Sequence, residues 1–265
     1  MIPQLGFGTW RLSGRECEEG VADALAAGYR HIDTAAMYDN EEDVGRGLRA
    51  AGVDRSDVWV TTKVWTDALE PERLRASLER SLRRLGLEHV DLLLIHWPSR
   101  DVPLEHTLAA MSELREAGWT REIGVSNFPS AMFREALGLA PVIVNQVEYH
   151  PFLSAEAVLE VCEQHNVELT AYRPLAKGKV GDEPVIREVA EALGKTAAQV
   201  ALRWLIEQPR VSAVPKASSP ERRRENLDVF DFELSPEEHA RIDALPKDRR
   251  EVNVAWAPEW DPSPA

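Results

Sequence analysis

Apolar and polar positions alternate along this chain in two rhythms. Short runs rich in β-branched residues recur from end to end: "QLGFGT", "RHIDT", "VWVTTKV", "HVDLLLIH", "EIGVSN", "VIVNQVEY", "VELTAYR" and "VSAVPK". Each has the length and composition of a strand. Between them, stretches such as "CEEGVADALAAG", "EPERLRASLERSLRRLG", "PLEHTLAAMSELREAG" and "TAAQVALRWLIEQ" return an apolar residue every three or four positions, the period of an amphipathic helix. Most of these stop at Gly or Asn, the residues that turn left-handed most easily at a helix end. Eight strands with interleaved helices, and no Pro/Gly/Ser linker, predict one α/β domain, a (β/α)8 TIM barrel covering residues 1–265.

Side chains at the C-terminal strand ends of such a barrel converge on a common mouth. Here those ends carry Asp33, Lys63, His96, Ser126 with Asn127, Gln146, Tyr172 and Lys216. Tyr38 follows Asp33 in "HIDTAAMYDN"; alone, the pair would read as a turn at a strand end. A buried lysine changes that reading, because it needs a counter-ion and Asp33 supplies one. The fixed cation would favour phenolate at Tyr38, so a pKa that starts near 10 is expected to fall toward a range suited to proton transfer. His96 adds a donor that can orient and polarise a carbonyl oxygen. The set holds a general acid with a relay behind it but no electron source, which implies a cofactor.

Composition narrows the partners. A net charge of -14 excludes nucleic acid and anionic membranes as partners, since both demand a broad basic face. No apolar run approaches the roughly 18 residues of a membrane span, and the N-terminus lacks the features of a signal peptide, so a cytoplasmic protein is expected. Cys17 and Cys162 have no metal spacing and read as ordinary buried or half-buried thiols. The densest basic run, "SSPERRRENL", reads alone as a solvated helix face. "GRGLRA" at 45–50 matches a dinucleotide fingerprint, but it lies inside a helix pattern with no strand feeding it and is set aside.

Taken together, "GFGTW", "GYRHIDTAAMYDNEEDVG", "TTKVW", "VDLLLIHWP", "IGVSNF", "NQVEYHP", "QVALRW" and "VPK" followed by "RENLDVFDFELS" resemble, in order and spacing, the aldo-keto reductase family, and its compact microbial members similar to 2,5-diketo-gluconate reductases. The resemblance runs from residue 3 to about 245. It implies a barrel that binds NAD(P)H and reduces small aldehydes and ketones, with Asp33, Tyr38, Lys63 and His96 as the catalytic tetrad. It further implies that Ser126, Asn127 and Gln146 hold the carboxamide, with Tyr172 against the nicotinamide ring. Thr9, Arg173, Leu175, Lys216, Ser218, Arg222, Glu225 and Asn226 would take the rest of the cofactor. Lys216 and Arg222 stand where the family grips the 2′-phosphate, so NADPH is expected to be preferred and NADH possible. Ala217 and Arg173 depart from the family's serines; Ser218 would replace one phosphate bond, and Arg173 would either grip the pyrophosphate or crowd it.

Trp10, Trp65 and Trp97 stand at strand ends and match the family's pocket for the carbonyl substrate. The stretch from about 246 to 265, with "WAPEWD", reads as a lid or tail near the mouth, and a monomer is the family expectation. The chain begins almost at the first strand, without most of the hairpin that plugs the barrel bottom in this family, and no substitute plug is evident. Two other readings compete. A metal-dependent hydrolase would use His31, Asp33, His96 and His150 as ligands, and a nicotinamide-binding redox sensor would bind cofactor with little turnover.

Overall fold

The computed structural model describes residues 1–262. Eight parallel strands form one sheet in sequence order: β1 Phe7–Gly8, β2 His31–Asp33, β3 Trp59–Val64, β4 Val90–Ile95, β5 Thr120–Ser126, β6 Val142–Glu148, β7 Glu168–Tyr172 and β8 Val211–Val214. The ring closes between β8 and the residues around β1, where Leu5 bridges Ala213 and the Gly8 amide donates to Pro215 O at 2.9 Å. This is the single-domain (β/α)8 barrel expected from the periodicity. Helices α1 Gly14–Ala27, α2 Glu41–Ala51, α3 Pro71–Leu85, α4 Leu104–Glu116, α5 Ser130–Leu139 and α6 Glu156–His165 alternate with the strands. The β7–β8 connection is longer: a 3-10 segment, Ala176–Asp182, precedes α7 Pro184–Leu193 and α8 Ala197–Ile206. After β8 come α9 Pro220–Leu227 and α10 Pro236–Asp243.

Most of the apolar side chains lie between strands and helices, while the barrel interior mixes small polar and apolar groups. Ile2, Leu92, Leu94 and Val144 form a separate cluster inside it, and Thr170 and Ser212 hydroxyls pair at 2.9 Å above. Ile2 thus fills the bottom of the barrel: one buried aliphatic side chain, delivered by the residues just before β1. The discarded "GRGLRA" motif lies within α2, and its glycines serve packing. A Cβ at Gly45 would sit 2.4 Å from Leu85 O, and one at Gly47 2.6 Å from Glu18 O, so α2 can approach α3 and α1 only without those side chains.

Candidate active site

Lys63, one residue before the end of β3, is fully buried, and its ammonium has three protons to place. Three acceptors surround it: Asp33 Oδ1 at 2.6 Å, Thr34 O at 2.9 Å and Tyr38 Oη at 3.3 Å. The other Asp33 oxygen accepts from Gln146 Nε2 at 2.7 Å, so the carboxylate is fixed from both sides. Strand register sets Gly8 opposite Asp33 and Asp33 opposite Thr61, two residues before Lys63, whose long side chain spans the offset. Tyr38 reaches them from a 3-10 turn, Ala36–Tyr38, that Asn40 pins by donating to Thr9 O and Leu12 O. The His96 ring meets Tyr38 edge-on at 5.6 Å, and the indole of Trp10 lies 4.7 Å from the phenol.

The electrostatics differ from the expectation at one group. Burial first, then the Asp33 charge, hold the Tyr38 phenol well above its ordinary pKa, and Arg173 alone pulls the other way. The reason is desolvation, with the Asp33 charge adding to it, while Lys63 is itself paired to Asp33 at 2.6 Å. Burial also lowers Lys63, against the charge and hydrogen bond of Asp33. His96 lies well below its usual value, from burial and then the Lys63 charge, so its imidazole is neutral near pH 7. Its Nδ1 has no partner among the described residues.

A cavity of about 320 Å³ opens above these groups, lined by Asp33, Tyr38, His96, Ser126, Asn127, Gln146 and Tyr172, with Trp10, Trp65 and Trp97 among its walls. A neighbouring groove of about 630 Å³ shares Trp10, Arg173 and Lys216 with it. Leu175, Ser218, Arg222, Glu225 and Asn226 line that groove. Thr9 is different: it is fully buried, lies outside both linings, and its hydroxyl donates to Asp33 O at 3.0 Å. The amides expected at the carboxamide are already tied to the scaffold. Asn127, at φ 64°, donates to His96 O at 2.9 Å and accepts from Tyr172 Oη at 2.7 Å, while Ser126 Oγ donates to Gln146 O at 2.7 Å.

The groove is strongly cationic. Arg11, Arg173, Lys216 and Arg222 all line it and have no carboxylate partner among the described residues, whereas adjacent Arg223 is buried on Asp23 at 2.6 Å. Arg223 also donates to Ala217 O and Ser218 O, which fixes the loop that carries Lys216. Four unpaired cations along one groove of so acidic a chain match an elongated polyanion. The four ligands of the hydrolase reading are used apart from one another. His31 bonds Thr61 at 3.0 Å, His150 bonds Glu148 at 3.0 Å, and no three metal-binding side chains group together among the described residues.

Sequence reasoning missed several residues here. Arg11, Val252 and Val254 line the cavities with no motif to mark them, and Met37 does so from within "HIDTAAMYDN". Trp256 packs edge-to-face on Trp65 at 5.7 Å and Trp97 at 5.0 Å and lines the cavity with them. The alternation in "EVNVAW" could have pointed to a half-buried extended stretch there.

An eight-stranded parallel barrel with a buried, hydrogen-bonded Asp33–Lys63–Tyr38 cluster at its mouth and a cationic groove beside it has the layout of an enzyme that takes an anionic ligand. Comparison with known proteins agrees. Residues 4–247 match the model of the aldo/keto reductase family, and the chain belongs to that family. It is 43% identical to the 9,11-endoperoxide prostaglandin H2 reductase of Trypanosoma cruzi, over 94% of this chain and 89% of that protein. It is 42% identical to the glyoxal reductase of Bacillus subtilis, over 94% of this chain and 91% of the relative. A crystal structure described as a 2,5-diketo-D-gluconic acid reductase B superposes with a TM-score of 0.97 at 45% identity, covering 98% of this chain and 94% of the other. The protein is accordingly an oxidoreductase, and no helix among the described residues is long and apolar enough to cross a membrane.

Proposed function

We propose that this protein is an NADPH-dependent reductase of small aldehydes and ketones, with Tyr38 as the general acid and NADH accepted less well. The observation that carries this reading is the saturated Lys63 ammonium. Because Lys63 donates to the Tyr38 oxygen, the phenol's own proton is turned away from the lysine and toward the cavity. The raised pKa of Tyr38 keeps that proton in place until a stronger base, the alkoxide-like oxygen of a carbonyl under reduction, forms beside it. Neutral His96 donates a hydrogen bond to the same oxygen and fixes its position. Reduced nicotinamide, when bound, supplies the hydride.

Ser126, Asn127, Gln146 and Tyr172 would face the nicotinamide end. Lys216, Arg222 and Arg173 would hold the phosphates, and Leu175, Ser218, Glu225 and Asn226 would line the adenosine end. Trp10, Trp65 and Trp97 would form the wall of the carbonyl pocket, and residues from about 246 onward its lid, in a protein that works as a cytoplasmic monomer. Relatives named as a glyoxal reductase and a methylglyoxal reductase support a small carbonyl substrate.

The test follows NADPH and NADH oxidation with methylglyoxal, a nitrobenzaldehyde and a diketo sugar acid in turn. Turnover with NADPH is expected to exceed that with NADH by kcat/KM. A Lys216→Ala, Arg222→Ala double variant should lose that preference by about 10- to 100-fold, the worth of one or two charge-assisted phosphate contacts. No turnover with any carbonyl would overturn the reading.

A further inference from the structure

The chain after α10 is tied down at three points along the mouth. Glu148 at the end of β6, itself buried, accepts the Glu251 amide at 2.5 Å and the Val252 amide at 2.7 Å. Beyond it, Arg250 stacks over Trp260 at 3.9 Å, and Asp261 accepts from the Ser130 amide and hydroxyl at the start of α5. Between those anchors, Val252, Val254 and Trp256 form one wall of the catalytic cavity. The third tie points elsewhere. The Glu251 carboxylate, 7% exposed, pairs with Lys179 at 2.6 Å and Lys177 at 3.0 Å, both in the 3-10 segment after β7, and with Arg249 at 3.1 Å on its own strand of chain.

That 3-10 segment is a wall of the other cavity. Lys177, Gly178, Val180 and Gly181 line the cationic groove. Its backbone is strained, with Ala176 at φ 45° and Lys177 at φ 58° in the left-handed region that residues with a Cβ avoid. Such a conformation costs on the order of 1–3 kcal/mol per residue and persists where the surroundings hold it. Ala176 and Val180 bury the segment from inside, and Glu251 meets it from outside: its two lysine partners flank Gly178, and no other carboxylate pairs with them among the described residues.

We propose that Glu251 is a positioning residue that joins the wall of the dinucleotide groove to the wall of the carbonyl pocket, so that the two walls order as one unit. The inference rests on the reading of the groove and cavity given above. By linkage, what steadies either wall steadies the other, and cofactor and carbonyl ligand strengthen one another's binding by the same factor.

Glu251→Gln removes the charge and keeps the shape; a Lys177→Met, Lys179→Met double variant cuts the same tie from the opposite side. In cofactor-free protein, hydrogen exchange is expected to rise about tenfold in both 176–182 and 250–257 for either variant. NADPH release, followed by stopped-flow fluorescence, should quicken about tenfold, and KM for the aldehyde should rise more than kcat falls. Glu251→Asp, which keeps the charge on a shorter arm, should recover part of each effect. Faster exchange confined to the side that was altered, with NADPH release unchanged, would overturn the tie. If wild-type protein binds no NADPH, the functional reading fails separately, and the exchange measurement still decides whether the two segments are coupled.

Discussion

Asp91, at the start of β4, and Asp33, at the end of β2, are both buried carboxylates held by cations, at opposite ends of the barrel. Asp91 accepts from Arg55 at 2.6 Å, Arg121 at 2.9 Å and the Val60 amide at 2.9 Å, and its partners lead out to solvent. Asp33 accepts from Lys63 and Gln146, and its cation is buried in turn. The lower cluster ends in guanidinium groups, which have no proton to give. The upper one ends in a phenol at the wall of a cavity. Ion pairing is therefore common to structure and chemistry in this barrel; what separates them is the group at the end of the chain of hydrogen bonds and whether it faces a space a ligand can enter.

Substitution at the mouth should leave stability and remove rate. Tyr38→Phe deletes one hydroxyl and keeps the ring that packs on Trp10. General acid catalysis is worth about 10²- to 10⁴-fold, so kcat for aldehyde reduction is expected to drop by that amount. NADPH titration by fluorescence should show affinity within about twofold of wild type. Reduction at the wild-type rate would remove Tyr38 from the chemistry and erase the contrast between the two ends.

Substitution at the bottom should do the reverse. Asp91→Asn leaves Arg55 and Arg121 facing a neutral amide in a site where the carboxylate is 1% exposed. Breaking a buried pair costs about 3–5 kcal/mol, and the half-exposed Arg121 points to the low end of that range. Urea unfolding should therefore show a loss of about 3 kcal/mol, with kcat per folded molecule unchanged. A loss of kcat beyond the folded fraction would mean that the bottom cluster shapes the mouth.

The strands, their order and the meeting of Asp33, Tyr38, Lys63 and His96 at one mouth were legible in the sequence because each depends on local pattern: β-branched runs define the strands, and the barrel rule then brings the residues at their ends together whatever their separation. Three features were not legible, each because it depends on what surrounds a residue in space. The sign of the Tyr38 shift follows from burial, which a list of neighbouring charges omits. Thr9 has the sequence context of a cofactor contact, yet its hydroxyl is buried on the Asp33 carbonyl. Ile2 looks like an unremarkable residue near the N-terminus, and only the closed ring shows it filling the bottom with Leu92, Leu94 and Val144. Glu251 belongs with these: one acidic residue in a charged tail becomes a junction because two lysines from the β7–β8 connection meet it.

His31 connects the two ends, since it shares β2 with Asp33 and its imidazole fills the space that Gly6 leaves open; a Cβ there would lie 2.6 Å from His31 Nδ1. Burial lowers its pKa from 6.5 to about 4, with Asp33 opposing and Lys63 assisting. Between those two values the unfolded chain binds a proton that the folded protein refuses, so unfolding gains protons and stability falls as pH falls. The loss begins near pH 6.5 and levels off below about 4, and it approaches about 1.4 kcal/mol per pH unit in between. His96, lowered by burial in the same direction, adds to the slope. Urea unfolding at pH 6 and pH 5 should show the wild type losing about 1 kcal/mol more than a His31→Gln variant over that interval, whatever the variant's absolute stability. Parallel slopes for the two proteins would mean that His31 keeps its proton in the folded barrel. The Pro3 carbonyl and the Asp33 charge, both of which favour the protonated ring, would then outweigh its burial.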